Sequence, residues 1–352
     1  MAYVPDAERG RDLALVPLDS RVRALTRLDR FAVRGASERL VLIAKTYRSG
    51  GEPEPDRPRL VPWLPPGSRA SLEHRALAAI ADVTARDRSG RLGAIRVLDL
   101  LDEETVVMAE LDWPSLDRLL LRQRLRPERH GRAGGIAEAA FPHAGYWLTR
   151  FRDLPIATEG TLLATRDQQI EALVMLGEWL GRRTGSPSAA QLERVHAAAE
   201  AVLPPALATA PGHGDFAMRN LLVGPEGQVA AIDTRARWRV PIELDLATLL
   251  VAIATNRLQA VTGGRAWSGA ARARYERALL GGAAYEDDLV PRLRVFELLV
   301  LWDAWAALRA RTGAGRRGWR RHLVAWPKEH RFRTHGDALI REIGESGRPF
   351  TA

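Results

Sequence analysis

The chain has 352 residues, of which 46% are hydrophobic and 27% charged, and its formal net charge is +9. This length suffices for two lobes around one cleft, and the apolar fraction supports packed cores. Because the chain has no cysteine, disulfides, thiolate metal sites and cysteine nucleophiles are excluded. No apolar run approaches the ~18 residues that span a bilayer, and the charged first residues lack the apolar core of a signal peptide. We therefore expect a soluble, cytoplasmic protein.

The first third of the chain is predicted to form a small antiparallel sheet. Residues 13–18 and 24–33 have the pattern of two strands joined by a loop at 19–23, and residues 39–48 form a third strand. In this third strand, the alternation of side chains places Lys45 on one face with Val41 and Ile43. Lys45 and Lys328 are the two lysines among 52 basic residues. A lysine in a chain that otherwise uses arginine suggests a place for a compact point charge.

A helix and a further strand follow a loop at 47–66. Residues 68–83 have apolar side chains at helical spacing, and Glu73 borders that stripe. Residues 105–112 form a buried strand that ends in acidic residues, and Ser115 can cap the next helix. After Trp113 the pattern is largely helical, with a capping box predicted at Ser188 and Gln191.

The most informative segment interrupts these helices. Residues 213–220 read His-Gly-Asp-Phe-Ala-Met-Arg-Asn, and an Ile-Asp pair ends at Asp233. Two short apolar runs around the turn at 224–227 predict a hairpin, which would hold Asp215, Asn220 and Asp233 near one point. Asp215 can receive a proton from a hydroxyl, and Asn220 and Asp233 can supply oxygen ligands to Mg²⁺.

At these residues the chain resembles the aminoglycoside phosphotransferase and choline kinase-like family, which shares the protein-kinase fold. The family carries a His-Gly-Asp-x-x-x-x-Asn catalytic loop, an Ile-Asp pair and an Asp-Leu-Ala helix opening, which is found here at Asp245. The resemblance implies an α+β bilobal fold, with a small antiparallel sheet and one main helix in the N-terminal lobe (1–112). A large, mainly helical lobe (113–352) would follow.

The resemblance also implies roles for individual residues. Lys45 would bind the nucleotide phosphates and Glu73 would orient it. The adenine would bond to the backbone of a hinge at 110–113, with Glu110, Leu111 and Asp112 as the nucleotide contacts. The cofactors implied are ATP or GTP with Mg²⁺, and Asp215 would be the catalytic residue. His213 would be structural, and Asp245 would cap its helix and brace the loop. The loop at 19–23 would cover the phosphates, although it lacks the glycines of protein kinases.

The acceptor is expected to be a small molecule with a hydroxyl group, and two features bear on its charge. If residues 234–240 are extended, Arg235, Arg237 and Arg239 point the same way and favour a neutral or anionic acceptor. Asp303 lies in an acidic region beside Trp302 and Trp305 and would suit a cationic one, although both tryptophans also fit a helix core.

Three function classes remain open. The first is a small-molecule kinase, the second a nucleotide-binding pseudokinase or scaffold, and the third a kinase of a lipid or protein acceptor. The arginine-rich residues 309–322 allow peripheral contact with an anionic membrane. Nucleic acid is not favoured, because the chain has no recognisable binding motif and uses arginine throughout.

Overall fold

The computed structural model describes residues 14–23, 25–36, 40–48, 57–62, 66–125, 130–256, 259–260, 262, 264, 269–313 and 318–346. The first part of the chain forms an antiparallel sheet. Its strands are β1 (Ala14–Val22), β2 (Thr26–Arg34), β3 (Leu40–Tyr47), β4 (Val97–Leu101) and β5 (Thr105–Ala109), in the spatial order β1-β2-β3-β5-β4. The predicted sheet is confirmed, with β3 in the centre.

One part of the sheet prediction is wrong. Residues 19–22 were expected in a loop, but they continue β1, where Val22 pairs with Arg27 of β2. The turn is therefore shorter and starts at Arg23, whose backbone N–H donates to the carbonyl of Thr26. Polar and charged residues in an edge strand mimic a loop in sequence, because this strand buries little of either face.

The remainder is mainly helical, with short strands around the catalytic segment. The helices are α1 (Pro66–Arg86), α2 (Leu116–Leu125), α3 (His130–Arg152), α4 (Arg166–Thr184), α5 (Ala189–Val202), α6 (Ile242–Thr255), α7 (Gly269–Gly282), α8 (Val290–Gly313) and α9 (Gly318–Ser346). The short strands are β6 (Gly160–Thr161), β7 (Ala210–Pro211), β8 (Leu221–Val223), β9 (Val229–Ala231) and β10 (Trp238–Val240). The predicted α+β bilobal architecture is confirmed.

Two apolar cores position the site. The larger one is built by the helices and contains fully buried Trp147, Trp302 and Trp305. The two late tryptophans are therefore core residues, in agreement with one of the two interpretations of the sequence. The smaller core lies under the sheet and includes Val106 and Met108 of β5. None of the helices in the described part of the chain combines the length and apolar character that crossing a bilayer requires.

Candidate active site

A buried network joins the sheet, helix α1 and the end of the catalytic hairpin. The Lys45 ammonium donates to both carboxylate oxygens of Glu73, at 2.9 and 2.8 Å, and also to the carboxylate of Asp233. The Tyr47 hydroxyl donates to Glu73 at 2.7 Å, and the backbone N–H of Asp233 donates to it at 3.1 Å. Three predicted residues thus meet at one point, with Tyr47 as an addition.

The charge states in this network follow from burial and pairing. Burial opposes the charged form of Lys45, but attraction to Glu73 and Asp233 outweighs it and raises the Lys45 pKa above its ordinary value. Burial also opposes ionisation of Asp233, yet Lys45 and then Arg235 hold its pKa below the ordinary value. The site therefore presents a fixed cation beside an ionised carboxylate.

Local backbone geometry presents Asp233 to this network. The β8–β9 hairpin pairs Leu221 with Ala231, and the N–H of Ile232 donates to the carbonyl of Asn220 at 2.9 Å. These bonds bring Asn220 and Asp233 to the same end of the hairpin. Asp233 has a φ of 61°, in the left-handed region that non-glycine residues seldom occupy. Such backbone strain is found preferentially at functional sites.

The loop between β7 and β8 is held by a buried histidine in an aromatic setting. His213 is fully buried, and the rings of Trp147 and Phe151 from α3 and Phe216 from the loop surround it at 5.4–6.0 Å between centroids. Its Nδ1 accepts from the Asp215 N–H at 3.3 Å. Burial lowers the pKa of His213 to about 4, so the ring is neutral at ordinary pH. The histidine shapes the loop and is not aimed at a substrate.

Asp245 braces the same loop from α6. Its carboxylate accepts from the backbone N–H groups of His213 at 2.9 Å and Gly214 at 3.2 Å. The expectation that Asp245 caps its own helix is wrong, because α6 begins at Ile242 and Pro241 takes the cap position. Asp245 is the fourth residue of α6, and from there its side chain reaches back to the loop.

Asp215, which is the proposed base, and Arg219 lie on the exposed side of the loop. Both carboxylate oxygens of Asp215 accept from Arg219, four residues later, each at 2.7 Å. The Nδ2 group of buried Asn220 donates to the Asp215 carbonyl at 2.9 Å, which commits the amide nitrogen and leaves the amide oxygen for a ligand. Sequence reasoning did not single out Arg219, although a helical spacing of four from Asp215 was visible.

The segment at 110–113 lies between β5 and α2. The Glu110 N–H donates to the carbonyl of Val41 at 2.8 Å. The Glu110 carboxylate accepts from Arg30 of β2 at 2.6 Å, so its side chain is already used. Leu111 packs against the smaller core, and the ring of Trp113 lies against Gly93 and Gly224. Nucleotide contacts from Glu110, Leu111 and Asp112 remain a prediction.

The three residues proposed to contact the acceptor are not all brought together. Arg235 and Asp303 both line a cavity of about 1180 Å³ beside Asp215. Arg237 instead pairs with Glu159 and lies over the ring of Trp238. The premise of an extended 234–240 segment is wrong, because Ala236 has a φ of 39° and regular strand starts only at Trp238.

The arginine-rich segment 309–322 was expected to allow contact with an anionic membrane. Most of its residues lie outside the part of the chain whose side chains are described.

Comparison with solved structures identifies the fold as that of the protein-kinase-like phosphotransferases. A choline/ethanolamine kinase family protein from Mesorhizobium loti aligns with a TM-score of 0.52 at 12% identity, over 96% of this chain and 94% of its own. Macrolide 2′-phosphotransferase from Brachybacterium faecium gives 0.51 at 14%, over 91% and 94%. A glucosamine kinase gives 0.52 at 17%, over 93% and 92%. At these identities the likeness concerns the fold.

Searches with the sequence itself add nothing to this assignment. No family model matches the chain, and no curated protein matches it.

Proposed function

We propose that the protein is a small-molecule kinase that transfers the γ-phosphate of ATP or GTP to a hydroxyl group of its acceptor. The observation that carries this proposal is the Lys45–Glu73–Asp233 network beside a braced loop that bears Asp215. This network would supply a cation for the phosphates and an ionised carboxylate, and the braced loop would supply a candidate base. Phosphoryl transfer needs this positioning and charge, and little covalent chemistry from the protein.

The reaction forms one bond and breaks one. The acceptor oxygen bonds to the γ-phosphorus, while the bond from that phosphorus to the bridging oxygen breaks and its electron pair leaves with the nucleoside diphosphate. Asp215 orients the hydroxyl and takes its proton. Lys45, held by Glu73, offsets charge on the phosphates. Asp245 keeps the Asp215 loop in place through the two backbone bonds.

The residues at the end of the hairpin fit Mg²⁺. The ion takes oxygen ligands and usually keeps several waters, with one or two protein carboxylates. Asp233 and the Asn220 amide oxygen would hold it, and it would screen the phosphate charges. Within the described residues no three His, Cys, Asp or Glu side chains gather around a possible metal position.

A mass-spectrometric screen with Mg²⁺ and ATP or GTP tests the proposal. Its panel contains aminoglycosides, nucleoside antibiotics, sugars, amino alcohols and lysolipids, and Asp215→Asn is run in parallel. We expect one product that gains a single phosphate with the wild-type protein only. If calorimetry shows that neither ATP nor GTP binds, the proposal is contradicted. Transfer that survives Asp215→Asn would contradict it as well.

A second candidate is a nucleotide-binding protein that transfers no phosphate. The Arg219 contact favours it, since this arginine occupies both Asp215 oxygens, one of which would have to accept the hydroxyl proton. Nucleotide binding without any product, unchanged in Asp215→Asn and in Arg219→Gln, would select this candidate over the kinase.

A further inference from the structure

The cavity beside Asp215 has an excess of positive charge. It is lined by the catalytic loop, the segment 57–62 and helices α6, α8 and α9, and it exceeds the volume of a usual small-molecule site. Its described lining has seven basic side chains and four acidic ones. The basic residues are Arg57, Arg59, Arg69, Arg219, Arg235, Arg311 and Lys328, and the acidic ones are Asp117, Asp215, Asp245 and Asp303.

The acidic side chains are already engaged by the protein. Asp215 pairs with Arg219, Asp303 pairs with Arg57 at 3.1 Å, and Asp245 accepts backbone N–H groups. Asp117 accepts from the Ser115 hydroxyl at 2.6 Å. Arginines thus offset the charges of Asp215 and Asp303, the two carboxylates that have an ion pair.

Several basic side chains lack such a partner. For Arg59, Arg235, Arg311 and Lys328, the described part of the chain shows no hydrogen bond or ion pair to a carboxylate. They come from four separate parts of the sequence, and the fold brings them to one cavity. Excess like charge without partners costs free energy in the folded protein, and an anionic ligand would relieve that cost.

These cations also act on one another. Burial lowers the Lys328 pKa, and repulsion from Arg311 and Arg219 lowers it further. Burial and repulsion from Arg57 and Arg311 lower the pKa of Arg59, and attraction to Asp303 opposes them only in part. The cations therefore interact with one another from Arg59, in the segment 57–62, to Arg219, which pairs with Asp215.

The lining also has many apolar side chains. Helices α6 and α8 contribute small and branched ones, and Phe332 of α9 adds a ring that the Lys328 ammonium approaches to 5.6 Å from its centroid. These apolar residues are Leu244, Val251, Ala252, Val300, Ala304, Ala307 and Leu308. An acceptor that fills this space can bury carbon against the helices while its charged end meets the cations.

We propose that this cavity is the acceptor site and that it takes an acceptor with an apolar body and an anionic group, a carboxylate or a phosphate. Arg59, Arg311 and Lys328 bind that group, and the acceptor hydroxyl lies at Asp215. This proposal rests on the proposed kinase function and specifies its substrate class. Charge-assisted bonds to guanidinium groups are strong enough to discriminate such acceptors from their neutral analogues.

Matched acceptor pairs test the proposal. The pairs are a hydroxyl-terminated medium-chain carboxylic acid with its methyl ester, and a sugar phosphate with its free sugar; an aminoglycoside serves as the cationic comparison. We expect kcat/KM for the anionic member of one pair to exceed that of its neutral partner by about tenfold or more. The pair that shows the preference identifies carboxylate or phosphate as the group recognised.

The variants Arg311→Gln and Lys328→Gln, singly and together, locate the preference. We expect them to lower the ratio of kcat/KM between the anionic acceptor and its neutral partner by about tenfold. The change should come from a higher KM for the anionic acceptor, and the KM for ATP should not change. Arg182→Gln is the matched control, because this exposed arginine pairs with Glu178 on α4. A binding measurement by calorimetry, with a medium-chain carboxylate that has no hydroxyl and with inorganic phosphate, supplies a readout without turnover. We expect one of these two probes to bind and the double variant to lose that binding.

The outcomes separate this proposal from the kinase assignment. Asp215-dependent phosphorylation of neutral or cationic acceptors, with no preference for anionic partners, leaves the kinase in place and overturns the acceptor class. The same conclusion follows if neither anion binds, or if the double variant discriminates as the wild type does. Loss of nucleotide binding altogether would overturn the kinase assignment itself, whereas anion binding that depends on Arg311 and Lys328 would still support the site.

Discussion

Glu73 is the residue on which the buried network depends. Its carboxylate receives bonds from Lys45, Tyr47 and the backbone N–H of Asp233, so it joins α1 to β3 and to the hairpin. With only 1% of its surface exposed, it cannot replace a lost partner with water. The sequence predicted its pairing with Lys45 through the family order of elements, but not the two other bonds.

A comparison of Glu73→Gln with Tyr47→Phe tests this dependence. Glu73→Gln keeps the shape but removes the charge that orients Lys45, so we expect nucleotide-dependent kcat/KM to fall by about ten- to hundredfold. Tyr47→Phe removes one hydrogen bond, and we expect a loss of about 1 kcal/mol in unfolding free energy with a smaller kinetic effect. Steady-state kinetics and urea unfolding give both values. Equal kinetic losses in the two variants would contradict the assignment of the orienting role to Glu73.

His213 makes the stability of the protein depend on pH. Burial lowers its pKa to about 4 from the ordinary value of 6.5, so the folded protein favours the neutral ring. The stability that the neutral ring contributes to the folded protein is therefore fully present above about pH 6.5. It is lost as the pH falls towards about pH 4. By about pH 5 we expect this residue to remove about 2 kcal/mol from the unfolding free energy.

The variant His213→Gln isolates this contribution from that of the carboxylates, which titrate in both proteins. The difference in unfolding free energy between wild type and variant should shrink by about 2 kcal/mol between about pH 7 and about pH 5. A difference that stays constant over this range would mean that the buried ring does not titrate as proposed.

At the scale of elements, local patterns predicted local structure well. The capping box at Ser188 and Gln191 is present, because both bonds lie within one helical turn. The strand of Lys45 and the helix of Glu73 were also found at nearly their observed ends. Each of these features follows from side chains a few residues apart, and this is the range over which periodicity carries information.

Features set by the tertiary fold could not be predicted in the same way. The left-handed Ala236 interrupts the expected extended run, and nothing in an alanine signals a positive φ. Arg59, Arg311 and Lys328 meet in one cavity although they are far apart in sequence. Tyr47 was overlooked although it shares the alternation of Lys45, because a strand tyrosine usually has no partner in a site.

Helix α3 connects packing in the large lobe to the catalytic loop. It carries Trp147 and Phe151, whose rings surround His213, and it crosses α7 at very close range. A Cβ built on Gly282 would meet the carbonyl oxygen of Pro142 at 1.9 Å, and one on Gly145 would meet the carbonyl oxygen of Leu279 at 2.2 Å. Backbone lies against backbone at this crossing, so no side-chain rotation can relieve an added methyl group.

Gly282→Ala should therefore separate α3 from α7. We expect a loss of about 1–3 kcal/mol in unfolding free energy, as for other overpacked sites, together with a lower kcat through the displaced rings at His213. Gly135→Ala is the matched control in α3, since a Cβ there meets nothing within 4 Å. It should be neutral or stabilise the protein by up to about 1 kcal/mol, because alanine favours helix over glycine. Chemical unfolding measures the change in unfolding free energy for both variants. Equal changes would contradict the inference that the two helices cross in close backbone contact.

At the scale of the whole molecule, the boundary at 112/113 does not separate two independent cores, because residues after it pack against the core under the sheet. Leu222 and Ile232 of the hairpin pack against the core under the sheet. The segment that precedes β4 bonds to β9, with the Gly93 N–H donating to the carbonyl of Val229 at 2.8 Å and the Val229 N–H donating to that of Arg91 at 3.0 Å. The catalytic hairpin thus belongs to both lobes in its contacts.

These shared contacts predict that the lobes unfold together. If the small lobe melted first, it would expose the apolar faces of the hairpin residues and break the Lys45–Asp233 contact, so partial unfolding gains little. We expect one calorimetric transition whose calorimetric and van't Hoff enthalpies agree. ATP with Mg²⁺ should raise its midpoint, because ligand binding to the folded state stabilises the whole unit. Lys45→Met should reduce that nucleotide-dependent rise while leaving a single transition. Two separable transitions, with only the first shifted by nucleotide, would show instead that residues 1–112 fold as a domain of their own.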